Sequence, residues 1–398
     1  MAEEAVTIEQ AQAADPPVAV MAASAGVAQP QASSRVDASG IQLKGATVGD
    51  TFSAPVSLTA EAIATGTSVS GYGSGVAELH AFGLTLEDLA DASTGDAVRD
   101  ALTTGTGTNL SSTLKLTAES SGSSVDGVAN ARTFVDAAGV QADQATIEMG
   151  GTGTVAASVS IQAGADSSTA ASAANAYLGV AQATGLDLNG GDGGHVRLEV
   201  GNNFIASGAV SADFLAAAES AADDATATAA IDRLLGADVE QLLVGGSSRI
   251  DGNTDVSLGL TSASQSGASS SIVDAASILG LDLHEAAGSG DLHGVRGALL
   301  LNNLSTTDVN QTSTSSSGDA SATAAFDTVG GIHLGDVDTG AQLAATTNNS
   351  LSLDQTARSS GGDVEASTHV NDVYGLQQEG LLETGGSTTI NATLEVDS

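Results

Sequence analysis

The side chains able to move a proton or hold a metal are few and scattered. The six histidines are His80, His195, His284, His293, His333 and His369. His284 and Glu285, with Asp291 and His293, offer the imidazole and carboxylate donors that ligate divalent metals. Their spacing fits no zinc pattern, and GLDLHEAAGSGDLHG (280–294) reads as a loop carrying surface side chains. The histidines share no position in any repeat, so they predict no repeated site.

Calcium suits the abundant oxygen donors better than zinc does. NGGDGGHV (189–196) places Asp192 in a Gly-Gly-Asp turn of the kind that binds Ca²⁺ in parallel β-rolls. It occurs once, whereas a stacked row of ions needs tandem copies. DGNTD (251–255) sets Asp251, Asn253 and Asp255 at alternate positions, like the opening of a helix–loop–helix calcium loop whose remainder is missing. The candidate metal ligands are therefore Asp192, Asp251 and Asp255, with Ca²⁺ as the ion. The competing account is that these are ordinary turn residues.

Catalysis finds no anchor. The chain has no Cys, which excludes thiol nucleophiles, zinc-thiolate sites, iron–sulfur clusters and disulfides. No G-x-S-x-G elbow, P-loop or H-E-x-x-H stands in it. A glycan-cleaving groove needs carboxylates and usually a basic residue. With Lys44, Lys115 and eight Arg, nothing in the spacing marks such a set. The expectation is a protein without catalytic residues.

Charge narrows the partners. Forty-eight Asp and Glu against ten Lys and Arg give 398 residues a formal net charge of −38. Phosphate backbones are bound through Lys and Arg, so nucleic acid is excluded as a partner. Docking to anionic lipid fails for the same reason. The apolar run VAVMAASAGVA (18–28) is too short to span a bilayer and follows acidic residues, not the basic ones of a secretory signal.

The elements that would position any site follow from the prolines, the glycines and the period of the apolar residues. All four prolines lie at or before Pro55. Residues 1–40, rich in Ala, Gln and Pro, predict a flexible leader, and 41–398 a β-repeat region of about seven units of roughly 48 residues. A glycine followed by an apolar residue recurs at Gly83, Gly139, Gly185, Gly236, Gly280, Gly331 and Gly375. Successive spacings are 56, 46, 51, 44, 51 and 44 residues, and DATATAAID (224–232) returns as DASATAAFD (319–327). Five residues before the anchors stand Glu78, Phe134, Val180, Ile231, Ala275, Phe326 and Val370, a predicted core column.

Within a unit, stretches such as STLKLTAESS (112–121) and SLSLDQTARSS (350–360) alternate polar and apolar residues, the period of a strand. Ser120-Ser121-Gly122, Ser316-Ser317-Gly318 and Ser360-Gly361-Gly362-Asp363 predict turns. The Ala-rich segment 214–243 has helical propensity, but its repeat partner is rich in Ser and Thr, which predicts strand for both. A short helix is an even alternative over 84–102. With aromatics at 2% and no Trp, the chain suits thin layers rather than a wide core. The expected fold is all-β: an elongated repeat array, β-solenoid or β-helix-like, with about two rungs per repeat. The alternative is an antiparallel β meander or sandwich.

At SSSGDASATAAFD (315–327) and its relatives the chain resembles the β-strand-repeat surface proteins of bacteria, nearest in style to the holdfast anchor proteins of stalked α-proteobacteria. The resemblance spans about residues 41–398 as a style of repeat. It implies a non-enzymatic structural or adhesive protein at the cell surface, associated with the outer membrane or extracellular. Such a protein would anchor or bind extracellular polysaccharide of an adhesive or biofilm matrix, beside other envelope proteins. A self-assembling filament or surface-layer subunit, self-associating by design, and a polysaccharide-active β-helix enzyme are the alternatives.

Overall fold

The computed structural model describes residues 18–27, 29–44, 46–48, 50–87, 102–143, 145–189, 196–288 and 293–397. Among them are twenty-two strands, numbered in chain order, and no helix. Nine strands form sheet A: β1 (Val18–Gly26), β4 (Thr51–Ser68), β7 (Gly107–Ser124), β10 (Thr152–Thr169), β13 (Phe204–Ser220), β15 (Ser248–Ser264), β17 (Leu299–Ser315), β19 (Leu343–Ser359) and β22 (Thr388–Asp397).

Sheet B holds the other thirteen in two joined rows. The longer row is β2 (Gln31–Lys44), β5 (Gly73–Glu87), β8 (Ala129–Asp143), β11 (Ala174–Leu188), β14 (Ala225–Val244), β16 (Ser269–Ala286), β18 (Ala320–Thr339) and β20 (Val364–Gln378). The shorter row is β3 (Ala46–Val48), β6 (Leu102–Thr104), β9 (Thr146–Met149), β12 (Arg197–Val200) and β21 (Leu382–Thr384). Strands β14 and β18 belong to both rows, and Val295 bridges Val244 and Thr339 between them.

This architecture corrects the expected fold. Every strand-to-strand pairing is parallel, which removes the antiparallel meander and sandwich. A unit is one coil, not two rungs: each contributes a single long strand to sheet A and one to sheet B. Sheet B branches at its shared strands and turns back toward its own start, nearly closed and barrel-like, so the molecule is a parallel β-helix-like arrangement and not a simple solenoid. The all-β composition stands. The error came from the turns: Ser120–Gly122 lies inside β7, so a tract read as two short strands is one of 18 residues.

The coil explains the spacings. Gly208 pairs with Gly252 and Gly252 with Asn303, offsets of 44 and 51 residues, which are the anchor differences read from the sequence. Ser316–Gly318 and Ser360–Asp363 do turn the chain, but they join a sheet A strand to a sheet B strand, so they are corners and not hairpins. The corner is sealed by a column of hydroxyls. Ser220, Ser264, Ser315 and Ser359 each donate to a turn carbonyl of the preceding coil, at Ser172, Asp223, Gly267 and Gly318, over 2.6–2.8 Å. All four also accept a turn amide over 2.8–3.0 Å, from Asp223, Gly267, Gly318 and Gly362.

The anchor glycines divide the interior. A Cβ on Gly185 would strike Gly236 O and the backbone of Gly208 and Ala209. One on Gly236 would strike Gly280 O and the backbone of Asn253. At this row sheet B bends inward until its main chain touches sheet A, a close approach that only glycine permits. Two apolar cores result. One contains Leu114, Ile161, Phe214, Ile231 and Phe326; the other contains Leu86, Ile147, Phe204, Val239, Leu301 and Ile332.

Among the described residues of the stretch expected to be a leader, β1 lies in sheet A and β2 in sheet B. Pro55 sits within β4 beside β7, beyond the part of β4 that β1 covers, where a missing N–H breaks no ladder. Segment 214–243 is strand, divided between β13 and β14 as its repeat partner predicted. Of the helix alternative over 84–102, residues 84–87 are strand, 102 opens β6, and 88–101 lie outside the described residues.

Candidate functional site

Because the glycine row bends inward, the outer surface of sheet B is concave beside it. The second residue after each anchor glycine occupies this hollow. Thr85, Gln141, Asp187, Asp238, Asp282, His333 and Gln377 stand in register across seven adjacent strands. Three neighbouring carboxylates therefore stack at the strand spacing of about 4.8 Å. Like charges directly opposite one another destabilise a sheet, and buried ones must find partners.

The partners come from the flanking positions. Arg233, three residues before Gly236, reaches Asp187 Oδ2 at 3.6 Å and is in contact with Asp238 Oδ2. Gln182 donates to Asp187 Oδ2 at 2.6 Å, and Asn189 donates to Asp238 Oδ2 at 3.0 Å. His333 Nδ1 donates to Asp282 Oδ1 at 2.8 Å. His284, two residues beyond Asp282 on β16, places Nε2 at 3.2 Å from Asp238 Oδ1 and 3.5 Å from Asp282 Oδ2. The rings of His284 and His333 meet edge to face at 6.5 Å. Burial is graded: the Asp187 and Asp238 side chains are 3% and 1% exposed, that of Asp282 14% and that of His284 40%.

The hydrogen bond to Asp282 favours the charged form of His333 and raises its pKa above the ordinary imidazole value; partial burial opposes this, and Glu379 adds to it. With the folded value raised, this pair contributes its full stability below about pH 6.5 and loses it as pH rises through the folded pKa. Ring-proton NMR is expected to show His333 titrating above the usual range. Asp282→Asn should bring it back down, and an unchanged midpoint in that variant would remove Asp282 as the cause.

The sequence had proposed other ligands. Asp192 lies outside the described residues. Asp251 and Asp255 are on β15, a strand and not a calcium loop. Asp251 is paired with Arg249 at 2.9 Å and accepts from Asn302 at 2.7 Å. Asp255 is exposed and lies between Ser211 and Thr306 in register. Neither meets another carboxylate across the sheet. His284 does not join Glu285 and His293: Glu285 accepts from Gln241 at 3.1 Å, and His293 faces Asp338 at 2.7 Å. Asp291 and His195 lie outside the described residues.

The hollow had a sequence signal after all. GLDL (185–188), GADV (236–239), GLDL (280–283) and GIHL (331–334) place Asp or His at one position of successive repeats. Elsewhere the concavities are open, such as a 500 Å³ depression lined by Glu148, Arg197, Glu199, His293 and Arg296. It lies on the shorter row of sheet B, and its Arg197 is engaged by Glu199 at 2.6 Å.

Fold and hollow together define the class: an acidic, repeat-built parallel β protein with a polar ladder along one concave bend. Comparison with protein-family models, curated proteins and solved structures finds no match to this chain.

Proposed function

We propose that the chain is a non-enzymatic structural and adhesive protein of a bacterial cell surface that holds extracellular polysaccharide against the outer face of sheet A. One observation carries this reading: that face is broad and presents mostly Ser, Thr, Asn and Asp, with Ile205, Leu215, Leu300 and Leu304 exposed among them. Its seven central strands of 17 and 18 residues make it roughly 55 Å along the strands and about 30 Å across them, at about 3.3 Å per residue and 4.8 Å per strand. In-register rows such as Ser57-Thr113-Ser158 and Asp255-Thr306-Ser350 run across it. Hydroxyls and amides repeated at the strand spacing offer many weak hydrogen bonds to a long polymer, and multivalency turns these into retention. The net charge of −38 favours hydroxyl-rich glycan over polyanion.

Co-sedimentation with a panel of insoluble polysaccharides tests the reading. Retention without release of soluble oligosaccharide is expected on at least one polymer. It should weaken several-fold when the exposed Thr346 and Asn348 on β19 are both changed to Glu. Release of cleavage products would establish the enzyme alternative, and no retention on any polymer would defeat adhesion.

A second reading, self-association, has its own support. Ile390, Leu394 and Val396 of β22 lie in register with the inward-facing Ala345, Asn349 and Leu351, yet are 45%, 43% and 52% exposed. A parallel strand laid along β22 would cover them. Sedimentation of the protein alone, without glycan, separates this mode from the first.

A further inference from the structure

We propose that Asp238, Asp282 and His284 form a binding site for a divalent transition cation of the zinc type in the hollow of sheet B. The ligand atoms of all three lie within 4.8 Å of one another. Around a tetrahedral ion with bonds of about 2.0–2.2 Å, ligands stand about 3.3–3.6 Å apart. His284 Nε2 lies 3.2 Å from Asp238 Oδ1 and 3.5 Å from Asp282 Oδ2, close to that spacing.

A second observation is independent of the clustering. Asp238 is 1% exposed, and its Oδ1 has no hydrogen-bond partner, although it is aimed at His284 Nε2. Leaving a buried carboxylate oxygen unsatisfied is costly. Its other oxygen is fully engaged by Arg233 and Asn189. Asp282 has the same division of labour, with Oδ1 held by His333 and Oδ2 turned toward His284. Outer partners that fix one oxygen and free the other are the usual support of a metal site. The Asn189 amide, 3.3 Å from His284 Nε2, is the donor that an ion would displace.

Charge and donor type select the ion. Three carboxylates, Asp187, Asp238 and Asp282, against the single guanidinium of Arg233 leave the hollow an excess of negative charge that favours a cation. Calcium takes six to eight oxygens, and magnesium keeps several waters in an octahedron. Two carboxylates and an imidazole suit zinc, leaving one coordination position to an outside ligand.

The test uses the full chain, freed of metal with chelator and titrated with Zn²⁺ by calorimetry. Saturable binding of one equivalent is expected, at least tenfold weaker in His284→Ala and in Asp282→Asn. His284 is partly exposed, so its variant should fold normally, and His293→Ala serves as the control that binds as the parent does. Co²⁺ in place of Zn²⁺ should give the intense visible bands of a tetrahedral site. Absence of a saturable event, retention in both ligand variants, or equal loss in His293→Ala would overturn the site. Ca²⁺ binding as tight as Zn²⁺ would overturn its assignment to a transition cation.

Discussion

Gly236→Ala is expected to cost about 3 kcal/mol or more, while Gly164→Ala leaves stability unchanged or slightly raised. A methyl group at 236 would sit inside contact distance of Gly280 O and of the Asn253 backbone. Main chain held in a parallel ladder cannot give way as the end of a flexible side chain can, so relief requires separating the sheets. Overpacking of this kind typically costs 1–3 kcal/mol, and more where backbone is the obstacle. At Gly164, on β10, the nearest atom to an added Cβ is Leu215 O at 3.9 Å, an ordinary contact. There Ala recovers part of the 0.5–1 kcal/mol that glycine costs in a strand. Urea unfolding of the two variants beside the parent makes the comparison. Equal midpoints would mean that the glycine row does not hold the two sheets together.

Phe326→Ala is expected to cost about 3 to 5 kcal/mol, and Phe134→Ala less than about 1 kcal/mol, although the repeats had placed both in one column. Phe326 is 1% exposed and pairs in register with Ala275 and Val370, a large side chain filling the space left by a small one in the next coil. Phe134 points outward and meets Tyr177 at a ring distance of 5.6 Å. Reversible thermal melts of both variants distinguish the positions. A loss below 1 kcal/mol at Phe326 would show that the column is not a core.

The reason for the difference is a single irregularity. In β11 the register with β8 shifts between Val180 and Gln182, so Val180 pairs with Val135 and not with Phe134. The true column runs Val36, Leu79, Val135, Val180, Ile231, Ala275, Phe326 and Val370. Counting back from a glycine cannot see a bulge, because a bulge changes the count without changing the alternation on either side. The coil length was legible for the opposite reason. Glycine at the inward bend is a steric necessity and recurs wherever the bend does. The all-strand character of 214–243 was legible from its repeat partner.

The hollow was far less visible. Asp238 and Asp282 meet only because 44 residues make one coil, and His284 joins them only because strand residues two apart share a face. Residues distant in sequence become neighbours through the register, which the motif patterns for zinc and calcium do not encode. Ser120-Ser121-Gly122 misled in a related way, since turn-forming residues also fit a strand interior beside a close backbone neighbour. In β7, Gly122 is such a case, with the backbone of Asn130 where its Cβ would be.

One coil per repeat also sets how the molecule yields under load. Each coil contacts mainly the two beside it, so a pull along the chain peels coils singly from an end instead of breaking the body at once. From β10 to β19 the coils lost would alternate between 51 and 44 residues, lengthening the tether by roughly 18 and 15 nm at about 3.5 Å per extended residue. Extension in two alternating step sizes absorbs work gradually and keeps the remaining coils intact, the behaviour of a shock absorber and not of a rigid strut.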